Sequence, residues 1–206
     1  MAEEKKMFGK YNQIVMLFIT FLFTGVMGGW LQHIYWTKQE EKRVLEEEID
    51  DAKLVYKDVL NHHYDLVTAM FSALHEYREA VRNEQNLDSI ALMDESEWGK
   101  YKSLQAQYES DYPKYFFLIP TTFGIRARQQ YTMIHERMQT TKKNLNDLYS
   151  GEPEVEKANV IENHIKSING VSGPIAFLNG FMISAIRKGE VGRFVPKEDQ
   201  GIPDLE

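Results

Sequence analysis

The chain has 206 residues, 43% hydrophobic and 27% charged, with a formal charge of −7. That is enough for one sizeable core, and the negative balance argues against nucleic acid as the main partner, since no positive field gathers phosphates. The chain has no cysteine, which excludes a disulfide scaffold, a cysteine nucleophile and thiolate-held zinc or iron–sulfur sites.

Residues 1–12 form a short tail carrying Lys5, Lys6 and Lys10. Residues 13–36, QIVMLFITFLFTGVMGGWLQHIYW, contain no charged side chain. At about 1.5 Å per residue such a helix crosses a hydrocarbon core of about 30 Å. Tyr11 stands before it, and Trp30, Tyr35 and Trp36 stand at its far end, as interface residues do. A cleaved signal peptide is the competing reading. The apolar run outlasts an h-region of about 7–15 residues, and no Ala-x-Ala-like site follows it, so the sequence predicts a permanent single-pass transmembrane helix.

Lysines before the span are matched by Lys38, Lys42 and Arg43 after it. The short basic tail breaks this tie and places the N-terminus in the cytoplasm, with the acidic domain outside it, in the periplasm if the source is bacterial. From residue 37 onward the chain holds 21 basic and 29 acidic side chains.

Within the span, Thr24, Gly25, Gly28 and Gly29 make a small-residue face of the kind that lets a second helix approach closely, the other reading being that glycine is simply common in membrane helices. His33 follows Gly29 by one turn. Its two readings are an interfacial hydrogen bond and a ligand to a haem or chlorin-type pigment.

Residues 37–55 are so polar that they read as a helical stalk with a solvated face. No glycine or proline occurs between Gly29 and Gly99. Leu45, Ile49, Ala52, Tyr56, Val59, His63, Leu66, Met70, Ala73, Tyr77 and Ala80 step by fours and threes throughout, a heptad-like, coiled-coil seam. A second row at Leu60, Val67, Phe71, Leu74 and Val81 widens the stripe to suit a bundle core. This helix is expected to end near 82–86.

A second helix is expected to begin near 94–96, with Trp98, Tyr101, Gln105, Tyr108 and Tyr112 on one face and Pro113 as its stop. YPKYFFLIPTTFG (112–124) then reads as an aromatic connection that covers the core. A third helix over 122–149 carries Ala127, Tyr131, Ile134, Met138, Thr141, Leu145 and Leu148 on one face. A fourth runs from Pro153 to about Asn169, with Ala158, Ile161, Ile165 and Ile168 facing inward.

A last helical segment starts at Pro174 and stops at Gly189. It is apolar nearly all round from Ile175 to Ile186, too short to cross a bilayer as a helix. It is either a central helix or an interaction patch, the latter formed by Phe177, Phe181, Met182, Arg187, Lys188 and Arg193. Residues 191–206 read as an extended tail. The expected fold is all-α: a transmembrane helix (13–36) and stalk (37–55) continuing into an antiparallel bundle of four or five helices (56–190).

Chemistry is sparse. Di-iron bundles need Glu-x-x-His, but the residues three before the six histidines are Trp30, Val59, Leu60, Ser72, Thr132 and Ile161. His135-Glu136 opens a zincin-like motif that Gln139 breaks. No nucleophile elbow, phosphate loop or dinucleotide fingerprint is present. His63, in the seam, reads as a satisfied core histidine, with a metal ligand as its alternative.

The chain is therefore expected not to be an enzyme and to need no cofactor. Its expected role is an accessory or scaffold subunit of a larger membrane complex, whose partners are the bilayer, other membrane-protein subunits or a second copy. The alternatives are a sensory domain binding a ligand or metal at His63, and a pigment- or haem-associated subunit using His33.

Overall fold

The computed structural model describes residues 2–83, 95–150 and 158–200. Among these there are four long helices and two short 3-10 turns, with no strand. The helices are α1 (Ala2–Arg82), α2 (Glu97–Phe123), α3 (Ile125–Ser150) and α4 (Ala158–Lys188), and the turns are Gly192–Phe194 and Lys197–Asp199. The residues named above as boundaries at 84–94 and at Pro153 lie outside the described residues, as does the tail from 201 onward. Two compact units are distinguished, Met1–Glu47 and Glu48–Glu206.

The first unit consists of the N-terminal part of α1 alone. From Val15 to Trp36 its described large apolar side chains are exposed but for Ile34, which is partly covered. This is the one helix among the described residues long and apolar enough to cross a membrane. The Thr20 and Thr24 hydroxyls donate to the carbonyls of Met16 and Thr20, so each finds its acceptor within the helix. Farther along, Arg43 pairs with both Glu40 and Glu47. These contacts lie on exposed side chains, where solvent screens them.

In the second unit the seam of α1 holds. Ala52, Val59, His63, Leu66, Met70, Ala73, Tyr77 and Ala80 are all buried. Residues of α1, α2, α3 and α4 share one hydrophobic core. Tyr77, Tyr101, Phe123, Tyr131, Ile134, Ile168 and Leu178 are among its largest fully buried members.

Two boundaries differ from expectation for the same reason. Helix α2 does not stop at Pro113; it passes through Pro113 and Pro120 to Phe123. Tyr115, Ile119 and Phe123 prolong the buried face begun by Trp98, Tyr101, Gln105 and Tyr108. Burial of that continuing face outweighs the hydrogen bonds the prolines forgo. Likewise, the expected fourth and last helices are one helix. Helix α4 runs through Pro174, with Ile168, Val171, Ile175, Leu178, Met182 and Ala185 buried at helical spacing on both sides of it. Ile165, expected to face inward, is exposed.

Gly189 ends α4 with φ 71°. Its N–H donates to the Ile186 carbonyl and that of Glu190 to the Ala185 carbonyl, the paired bonds of a Schellman cap. The segment that follows is not extended. It winds through the two 3-10 turns and buries Val191 and Val195. It lies over the corner between α2 and α3, where a Cβ on Gly124 would sit 2.8 Å from the Asp199 carbonyl oxygen.

Candidate functional site

The start of α2 is fixed by α1. Ser96 accepts the Gly99 N–H at 2.9 Å, and the Glu76 carboxylate accepts the N–H groups of Glu97 and Trp98 at 3.0 and 2.9 Å. Three donors that a helix N-terminus leaves unpaired are thereby satisfied. The Tyr149 hydroxyl donates to the Ala73 carbonyl at 2.6 Å, and its ring stacks on Trp98 at 4.0 Å. Helices α1, α2 and α3 are thus tied at one place by a carboxylate, a phenol and an indole. Beside it opens a cavity of about 710 Å³, lined by Phe71, Leu74, Ile161 and Ile165, with His75 and Arg78 among its polar lining.

Deeper along α1 lies a set of rings and polar groups. His63 is fully buried, with the Tyr108 ring of α2 at 6.1 Å and the Tyr131 ring of α3 at 5.6 Å. His135 of α3 stacks on Tyr112 at 3.7 Å and faces Tyr108 at 5.7 Å. Neither ring nitrogen of His63 has a hydrogen-bond partner among the described residues, nor does the Tyr108 hydroxyl. His63 therefore sits in the core as a neutral ring: burial, with a smaller contribution from neighbouring His62, pushes it down to about 3. Burial also raises the Tyr108 and Tyr131 phenols and lowers His135. At the edge of this set Glu109 accepts from Lys142, Gln105 and Gln139. Those bonds, the Lys142 bond first, hold its carboxyl down to about 2. His62 faces Asp111 at 3.2 Å.

The residues singled out from sequence fall in separate places. Around Gly25, Gly28 and Gly29 a Cβ would meet nothing within 4 Å, so that small-residue face is open. Thr24 beside them bonds only to its own helix, to the carbonyls of Thr20 and Phe21. His33 is exposed, and its carbonyl accepts the Thr37 hydroxyl. Among the described residues no group of three or more His, Asp or Glu is placed to hold a metal ion.

The expected C-terminal patch is divided. Phe177 is 60% exposed, Phe181 packs partly against the core, and Met182 is fully buried, so Met182 belongs to the core and not to a surface. Arg187 is exposed, Lys188 pairs with Glu190, and Arg193 pairs with Glu48. Sequence reading missed the Glu76 cap and the Glu109 network. Each joins residues more than twenty positions apart and leaves no local signature. No family model, no curated protein and no solved structure matches the chain.

Proposed function

We propose that the protein is a membrane-anchored accessory subunit: a single transmembrane helix packs against a partner helix in the bilayer while an antiparallel helical bundle projects as a scaffold. The N-terminus is assigned to the cytoplasm and the bundle to the other side. The observation that carries the reading is the first unit itself. Its described large apolar side chains are exposed from Val15 to Trp36 apart from Ile34, and its glycine face is open at Gly25, Gly28 and Gly29. Glycines placed on one face of a membrane helix let the backbone of a second helix approach closely.

The reading assigns no catalysis to the chain and no bound cofactor to its function. Affinity purification of the tagged full-length protein from native membranes, followed by mass spectrometry, tests it. Stoichiometric recovery of one or more membrane proteins is expected. Recovery of a lone monomer at near-physiological expression refutes it.

A ligand-sensing role at His63 draws its support from the unpaired ring nitrogens of that residue. Elemental analysis of the purified protein separates the two readings, since a metal at unit stoichiometry favours the second.

A further inference from the structure

Helix α4 carries its weakest helix formers in one place. Asn169, Gly170, Ser172, Gly173 and Pro174 stand almost side by side, and glycine and proline are the residues least favoured in a helix interior. Proline has no N–H, so the Gly170 carbonyl, four residues before Pro174, lacks the donor that a regular turn supplies. The proline ring also crowds that carbonyl and tilts it away from the helix. Bends in helices arise at such places.

Another helix provides the missing donor. Arg137 of α3 donates from Nη1 to the Gly170 carbonyl at 2.6 Å. Its guanidinium runs past the place where Gly170 has no side chain, 4.0 Å from the position a Cβ would take. A cationic donor on an otherwise unpaired carbonyl makes a short, strong bond. One turn further along α3, the hydroxyls of Thr141 and Ser167 meet at 3.0 Å.

The two arms of α4 on either side of this place are held differently. From 161 to 167 no residue is buried, and Ile168 is the first to be covered completely. Ile161 and Ile165 of this arm line the cavity of about 710 Å³ together with Phe71 and Leu74 of α1. From Val171 onward the inner face is continuous, with Ile175, Leu178, Met182 and Ala185 buried. A segment with few buried apolar groups opens at lower free energy than one that fills a core.

We infer that α4 is a jointed helix, hinged at Asn169–Pro174, and that Arg137 is the clasp that keeps its first arm against α1. With the clasp released, the first arm swings out while the arm beyond Pro174 stays in the core. Ile161 and Ile165 are the α4 wall of the cavity, so the swing sets how far that cavity opens. Arg137 acts through the Gly170 carbonyl, as a positioning residue.

The chain has no cysteine, so the reaction rate of a single introduced thiol reports opening at one site. Two versions of the full chain in detergent micelles carry Ile168→Cys on the first arm or Met182→Cys on the second, both fully buried positions. Each is combined with Arg137→Met, which removes the donors and keeps an unbranched side chain. Each is also combined with Pro174→Ala, which returns an N–H to the Gly170 carbonyl. Near-ultraviolet circular dichroism checks that every variant keeps its packed core, and labelling by an aromatic disulfide reagent is followed by absorbance.

Arg137→Met should accelerate labelling at position 168 severalfold and leave position 182 unchanged. Arg137→Lys, which keeps a cationic donor, should fall between Arg137→Met and the parent. In the Pro174→Ala background the helix supplies its own donor, so Arg137→Met should no longer accelerate position 168. Equal acceleration at 168 and 182 would show that Arg137 stabilises the bundle as a whole, and it overturns the joint. An unchanged rate at 168, or an acceleration that persists in the Pro174→Ala background, overturns the clasp.

Discussion

Replacing His63 with Leu should convert an acid-sensitive core into a less sensitive one. In the folded chain His63 is fully buried and held at about 3, against an ordinary value of 6.5. The unfolded chain therefore binds a proton between those two values that the folded chain refuses. Stability from this group is fully present above pH 6.5 and is lost as pH falls toward 3. Each pH unit across the window removes about 1.4 kcal/mol, so at pH 4.5 the loss is about 2.7 kcal/mol and over the whole window on the order of 5. Leucine is near histidine in volume and leaves no unpaired ring nitrogen in the core. At pH 7.5 the variant should lie within about 1.5 kcal/mol of the parent. At pH 4.5 it should gain about 2–3 kcal/mol relative to that baseline. Denaturant titrations of the full chain, followed by near-ultraviolet circular dichroism of the buried tyrosines, measure both differences. Other titrating groups are common to the two proteins and cancel. Parallel pH profiles for parent and variant would refute the reasoning, because they would show that His63 is protonated equally in both states.

Glu109→Gln should cost under about 1 kcal/mol at neutral pH, because more than a third of the carboxylate side chain is exposed and solvent screens it. Its contribution is present above the usual 4.5 and fades as pH falls toward about 2, so the variant's urea midpoint should depend less on pH in that window. Tyr149→Phe removes the hydroxyl that donates to the Ala73 carbonyl while keeping the ring stack on Trp98; a loss of about 0.5–1.5 kcal/mol is expected by thermal denaturation. Gly192→Ala places a Cβ at φ 55°, where it would meet the Glu48 carboxylate. The left-handed backbone alone costs about 1–2 kcal/mol, and limited proteolysis should cut within 191–200 faster while the helices stay intact.

The seam of α1 was legible because a long run without glycine or proline lets hydrophobic spacing speak without interruption. His63 could be placed in the core from that spacing alone. The Gly189 cap was equally plain, since a glycine after a basic last turn is a local signal. What misled was proline. Pro113 and Pro174 each cost local hydrogen bonding, and only the buried faces that continue beyond them, Tyr115 to Phe123 and Ile175 to Ala185, show that packing wins. Met182 could not be assigned from sequence either, because a segment apolar nearly all round gives no direction. The His63–Tyr108–Tyr131 cluster and the Glu76 cap join residues from different helices, which no single stretch of sequence records.

The small-residue face of α1 is where the proposed anchor meets another helix. Single cysteines placed one at a time at Gly25, Gly28 and Gly29, and on the opposite side of the helix at Phe23, Met27 and Trp30, can be oxidised in native membranes without background from other thiols of this chain. Cross-linked species, whether to a second copy or to another membrane protein, are expected at the three glycine positions and not at the other three. Cross-linking that is absent everywhere, or equal around the helix, would contradict the claim that this face packs against another helix.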